Sequence, residues 1–304
     1  MAATRTAGDA TVGEGATPER PAELAAHLRG MWSAVAPAWA EHASYVDGRS
    51  ADLTAAMLRR VAPRPGERVL ELACGAGGLS LAAAPLVAPG GEVVASDVAP
   101  EMCAIAAARA EAAGLRNVTA RVLALEAIDE PDEAYDVVLC REGLMFAVDP
   151  ARGAAEVRRV LRPGGRVAIA VWGPRERNPW LGVALDAAAA VLGRPMPPPG
   201  RPGPFALSDA GALAGLLRDA GLADVAVHEH DVPLVAASFD EWWARTTALA
   251  GPLARVLAGL PDDGARALRA RARDAVRPYE AGPGALAFPG LTLLATASQP
   301  RTGR

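Results

Sequence analysis

Lysine is absent from the 304 residues; all 31 basic side chains are arginine. Schiff-base chemistry, a lysine general base and a phosphate-binding loop ending in Gly-Lys-Ser/Thr are therefore excluded. Isoleucine, asparagine and glutamine are scarce while alanine dominates. This is the codon signature of a GC-rich genome, so alanine runs carry little structural information. Cysteine is limited to Cys74, Cys103 and Cys140, with no CxxC spacing. That argues against a disulfide framework or a cysteine zinc site and fits a reducing cytoplasm; no metal is expected. No apolar stretch approaches the roughly 20 residues of a membrane span. Residues 1–20 lack an apolar signal core and read as a disordered tail. Long basic runs are also missing: 31 Arg against 35 Asp+Glu leave a net charge of −4 and a pI near 5.7. That balance argues against nucleic acid or an anionic membrane surface as a partner.

The hydrophobic share of 51% is enough to build a core, and the length allows one large domain or two modest ones. Leu28, Trp32, Val35, Trp39 and His42 recur at spacings of three and four, predicting a helical stripe over about 21–43. Pro37 interrupts it and predicts two short helices or a kink. A second helix is expected over 50–61, closed by Pro63, Pro65 and Gly66. Strands at 68–72, 92–96, 118–123, 135–140 and 166–172 then alternate with helices at 79–87, 100–113 and 150–161. Strands apolar on both faces, separated by helices, imply a parallel sheet wrapped in helices. After Trp172 the rhythm changes. A helix over 178–192, a Pro/Gly-rich loop over 194–204 and a helix capped by Ser208 come first. A strand over 225–233, helices over 239–260 and 262–276 and a last strand over 286–297 follow. The fold class is α/β: a doubly wound, mostly parallel, Rossmann-like sheet with helical lid insertions. Cap helices fill 21–61 and the cofactor-binding core 62–175; 176–304 holds the remaining strands with lid segments near 178–204 and 236–284.

The strand-turn-helix over 69–81 is the central motif. In an open α/β sheet, ligands bind beyond the carboxyl ends of the strands. Gly75, Gly77 and Gly78 let backbone approach a ligand there, and the helix N-terminus offers free N–H groups. Twenty residues past Gly77, Asp97 ends the second strand, where a carboxylate can accept two hydrogen bonds from a ribose diol. The pairing suits nucleotide ligands generally, so a nicotinamide enzyme competes. Its fingerprint, however, needs a glycine where Ser80 stands. Glu71, inside the first strand, would repel a pyrophosphate and suits a ligand with a cationic amino group.

Four segments at this point carry a resemblance: VLELACGAGG (69–78), VVASDVAPEM (93–102), YDVVLC (135–140) and EVRRVLRPGGRVAIAVW (156–172). Together, in this order and spacing, the chain resembles the class I S-adenosylmethionine-dependent methyltransferases. The LRPGG turn into a strand is typical of small-molecule and quinone-type members. NPW (178–180) and FDEWW (239–243) resemble one bacterial branch of that group. The resemblance implies S-adenosylmethionine as cofactor, with Glu71, Ala73, Gly75 and Gly77 along its methionine part. It implies Asp97 on the ribose, Val98 and Met102 against the adenine, and Cys140 and Trp39 along the same cleft. Ala73 stands where the family often has glycine. Ala124 stands where many members have an aspartate on the adenine amino group, leaving Leu125 backbone or Glu126 to make that contact; one lost hydrogen bond costs about 1 kcal/mol.

Methyl transfer from a sulfonium needs alignment and a dry pocket, and a general base only where the nucleophile arrives protonated. His42 on the tryptophan stripe, and Arg141 and Glu142 at the end of the fourth strand, are the candidates: Arg141 for an anionic oxygen, Glu142 or His42 for a proton. Each has a plainer reading, as a solvated histidine or a structural ion pair. Cys74 and Cys140 also read as buried small hydrophobes, His228 and His230 as strand surface. Trp32 and Trp39 are either core or a cover over the cofactor, and Trp242 and Trp243 either lid packing or pocket wall. The expected activity is methylation of O, C or N on a small, largely apolar molecule, a secondary metabolite or quinone-like compound. A cofactor-binding role without methylation is the alternative, and a homodimer stays open.

Overall fold

The computed structural model describes residues 20–301; the tail expected over 1–20 lies, but for Arg20, outside the described residues. Three helices come first: α1 (Pro21–Glu41), α2 (Ala43–Arg49) and α3 (Ala51–Val61). Arg20 and Glu23 close a capping box at the start of α1. The helix continues through Pro37 and ends at Glu41, not at the proline. Interior proline costs roughly 3 kcal/mol. Burial of Met31, Val35 and Ala36 and packing on neighbouring helices offset that.

The α/β alternation follows as β1 (Arg68–Leu72), α4 (Gly78–Val87), β2 (Glu92–Asp97), α5 (Pro100–Ala112), β3 (Val118–Val122), β4 (Tyr135–Arg141), α6 (Pro150–Val160) and β5 (Leu161–Trp172). Asp149 caps α6 by accepting from the Arg152 N–H at 3.0 Å. Strand pairing of β5 starts at Leu161, breaks over the LRPGG turn and resumes at Arg166, earlier than the expected start. The remainder is α7 (Pro179–Leu192), α8 (Ala210–Asp219), β6 (Ala223–Asp231), β7 (Leu234–Ala236), α9 (Phe239–Leu249), α10 (Gly251–Gly259), α11 (Asp262–Ala275), β8 (Leu286–Phe288) and β9 (Leu291–Ser298).

Seven strands form one sheet in the order β3-β2-β1-β4-β5-β9-β6. All pairs from β3 to β5 are parallel, and β9 is antiparallel to both neighbours. Valine and leucine on β1, β4 and β5 are fully buried, as a sheet covered on both faces requires. The order of strand addition reverses between the parallel neighbours β1 and β4, so their carboxyl ends flank the switch point where a ligand crevice opens. Among the described residues no helix is long and apolar enough to cross a membrane.

Three late elements differ from expectation. Asp209, not Ser208, caps α8, because its carboxylate reaches the Ala212 N–H at 2.7 Å. The helix expected over 239–260 splits at Ala250, which lies in extended conformation. The last strand divides at Pro289-Gly290, and its first piece pairs with β7 in a separate two-stranded sheet. Asn178 knits this region together. Its amide donates to the carbonyls of Gly173 (3.2 Å), Pro174 (3.2 Å) and Leu291 (2.9 Å) and accepts from the Leu291 N–H (3.0 Å) and Trp180 Nε1–H (3.2 Å). Trp242 Nε1–H donates to the Trp180 carbonyl at 2.9 Å, so NPW and FDEWW meet in one packing unit.

Candidate active site

The turn after β1 is held open by backbone geometry. Ala73, Gly75 and Gly77 all have positive φ, at 53°, 52° and 82°. A side chain at Gly75 would lie 3.0 Å from the Trp39 ring. One at Gly77 would lie 2.7 Å from the Ala106 Cβ, so this glycine lets the turn approach α5 closely. Asp97 organises the turn: its carboxylate accepts from the Gly75 N–H and the Ala99 N–H, both at 3.0 Å. Glu71 accepts from the Ser80 N–H at 2.8 Å and from the Ser80 hydroxyl, inside the first turn of α4.

A single cleft of about 1660 Å³, counting its solvent-open part, runs from this turn across β4 and β5. Its cofactor-like end is lined by Glu71, Ala73, Gly75, Asp97, Val98 and Met102, with Leu125 and Glu126 beyond β3. Trp39 and Trp32 on α1 cover this end; Trp39 Nε1–H is anchored on the Leu249 carbonyl at 3.1 Å. Trp32 meets Phe146 edge to face at 4.9 Å. The other end is lined by Arg49, Arg141, Glu142, Trp172, Trp180 and Arg245.

Burial sets the charges. It pushes Glu71 up to about 7, against the opposing pull of Arg141 and the Ser80 hydrogen bonds. Burial likewise raises Asp97, although backbone N–H groups of Ala99, Gly75 and Val98 hold it back. Glu142 is raised by burial and opposed by the Arg141 and Arg49 charges. Burial also pushes the Cys140 thiol up to about 12 and Cys103 to about 11, which leaves both un-ionised.

Eleven of the fourteen residues expected at the site line the cleft, and three do not. His42 is carried into the junction of α1 and α2, because α1 ends one residue before it. Gly77 faces α5, and Cys140 is buried in the sheet core. Glu126 lines the cleft, but its carboxylate already accepts from the Val148 N–H at 2.6 Å. Arg141 Nη1 donates to Thr54 Oγ1 at 2.6 Å. Neither Trp242 nor Trp243 is among the lining residues; they pack with Phe239. Sequence reasoning missed Arg49, Tyr45, Arg245 and Thr246. No pattern marks Arg49 among 31 arginines. Among the described residues no group of three His, Cys, Asp or Glu side chains is placed to hold a metal ion.

Comparison with known proteins agrees with this geometry. Residues 69–165 match a methyltransferase domain family. The uncharacterized protein Rv1403c of Mycobacterium tuberculosis is 34% identical over 203 residues, 67% of this chain and 69% of that protein. The ubiquinone/menaquinone biosynthesis C-methyltransferase UbiE of Ralstonia pickettii is 36% identical over 138 residues, 41% of this chain and 56% of its own length. The solved structure of the YcgJ protein from Bacillus subtilis shares the fold, with a TM-score of 0.56 at 20% identity over 82% of this chain and 98% of that one. With this sheet, this glycine turn and these relatives, the chain belongs to the class I S-adenosylmethionine-dependent methyltransferases and uses S-adenosylmethionine as its cofactor.

Proposed function

We propose that this protein transfers a methyl group to an O, C or N atom of a small, largely apolar metabolite, quinone-like or from secondary metabolism. One observation carries the reading: the cleft is continuous from the glycine turn to a chamber walled by Trp172 and Trp180. The cofactor supplies an electrophilic methyl group on a sulfonium. The residues present fit it. Glu71 is a buried carboxylate raised by desolvation, and a cationic amino group is the partner that would hold it ionised. Asp97 uses two lone pairs on backbone N–H groups and keeps others for a ribose diol. Ala73 and Gly75 offer backbone to the methionine part. Val98, Met102 and Leu125 offer apolar surface to the adenine, and Trp39 closes the cleft over Gly75.

At the acceptor end, Glu142 Oε1 is enclosed and without a hydrogen-bond partner. It is the group that takes a proton from a phenol, alcohol or acidic carbon; His42 is not among the residues lining the cleft, and Arg141 is held by Thr54. Similarity to a quinone C-methyltransferase over 138 residues supports a ring-bearing acceptor. Three buried free cysteines support a reducing cytoplasm as its location. The test is transfer of radiolabel from methyl-labelled S-adenosylmethionine into organic extracts of candidate phenols and hydroquinones. Tight binding of S-adenosylhomocysteine without transfer to any acceptor would favour a non-methylating role.

A further inference from the structure

The charged side chains lining the cleft divide into two groups. Glu71 accepts from Ser80, Asp97 from Gly75 and Ala99, and Glu126 from Val148; Arg141 donates to Thr54, and Arg245 pairs with Glu241. Arg29 is exposed at the rim. Arg49 stands apart. Its guanidinium carbon lies 3.9 Å from the centre of the Trp180 ring and 5.1 Å from that of Trp172. Its Nε and Nη2 are shut off from water and have no hydrogen-bond partner. Glu142, at the same end of the cleft, is in the same condition through Oε1 and holds a strained backbone with φ of 59°.

Nitrogens left in this state are costly, since a buried charge wants hydrogen bonds as well as an opposite charge. The Glu142 charge and the two ring faces compensate part of this, but neither supplies a hydrogen bond to Nε or Nη2. Nε and Nη2 form one edge of the guanidinium, and two parallel N–H groups on one edge match the two oxygens of a carboxylate. The tryptophans behind them hold that edge in place and offer flat apolar surface beside it. Resting on the methyltransferase reading above, we propose that Arg49 anchors a carboxylate carried on a flat aromatic methyl acceptor. Glu142 then faces the ring's other substituents as a hydrogen-bond acceptor. A neutral quinone-like ring without a carboxylate would leave the Arg49 edge unpaired.

Three probes of one shape decide this: 2-naphthoate, its neutral isostere 2-naphthamide, and 2-naphthol. Each is titrated into the full-length protein saturated with S-adenosylhomocysteine, followed by tryptophan fluorescence and calorimetry. Expected is at least 10-fold tighter binding of 2-naphthoate than of either neutral probe. Arg49→Gln should bring the ratio close to one, and Arg49→Lys should keep part of it. Equal or tighter binding of the amide or the naphthol by the wild type overturns the proposal, as does an undiminished ratio in Arg49→Gln. The wild-type comparison stands alone should that variant not fold. A wild type that does not bind S-adenosylhomocysteine strikes the methyltransferase reading; one that binds it and ignores the carboxylate strikes only this inference.

Discussion

Glu71→Gln should make the free protein more stable at high pH while weakening cofactor binding. The Glu71 carboxyl stands at about 7 in the folded chain against an ordinary 4.5. The folded state therefore keeps its proton through a window in which the unfolded chain has lost it. Stability falls as pH rises from about 4.5 to about 7 and levels off above that. At about 1.36 kcal/mol per tenfold change in acidity, the full cost is about 3 kcal/mol at pH 8, and under about 1 kcal/mol at pH 5. Glutamine removes the charge and keeps an oxygen for the Ser80 N–H. The stability gap between variant and wild type should then widen by about 2–3 kcal/mol in the variant's favour between pH 5 and pH 8. Urea unfolding of both proteins without cofactor, followed by circular dichroism at the two pH values, measures it. Calorimetry with S-adenosylhomocysteine should show at least a 10-fold loss, since a charge-assisted hydrogen bond is worth about 1.5–3 kcal/mol. A gap that stays flat with pH would refute the argument that burial without a cation governs this carboxyl.

Asp97→Ala should weaken S-adenosylhomocysteine by roughly 10-fold or more, because it removes the proposed ribose partner and frees the Gly75 N–H; unchanged calorimetric affinity removes Asp97 from the site. Trp39→Ala uncovers Gly75 and leaves the Leu249 carbonyl without its donor. Affinity for the same ligand should fall about 10-fold while the far-ultraviolet spectrum is retained; a wild-type affinity would make α1 a bystander. Asn178→Ala strips partners from buried backbone at Gly173 and Leu291. It should lower unfolding stability by about 2–4 kcal/mol, a denaturant midpoint shift that a merely exposed cap would not produce.

The parallel half of the fold was legible because its signals are local. β1, β2, β4 and β5 each hold a short apolar run bounded by turn residues, and the helices between the strands start and stop at proline and glycine. Glu71, Gly75 and Asp97 could be placed because spacing along a strand-turn-helix determines which strand end each occupies. Locality fails where long-range contacts decide. Pro37 signals a break that packing of α1 overrides, and Pro289-Gly290 divides a run that reads as one strand. His42 shares a stripe with Trp32 and Trp39, yet the end of α1 takes it away from the cleft they line. Arg49 shows the limit most clearly. Its helix has seven residues and no motif, and Trp172 and Trp180 lie more than a hundred residues further along the chain. Periodicity determined the class of sheet, and the strand-turn-helix motif with the resemblance it carries pointed to the cofactor end of the site. Only the tertiary structure brought a guanidinium against two distant indole faces, because desolvation and stacking depend on what surrounds a side chain in space, not on its neighbours in sequence.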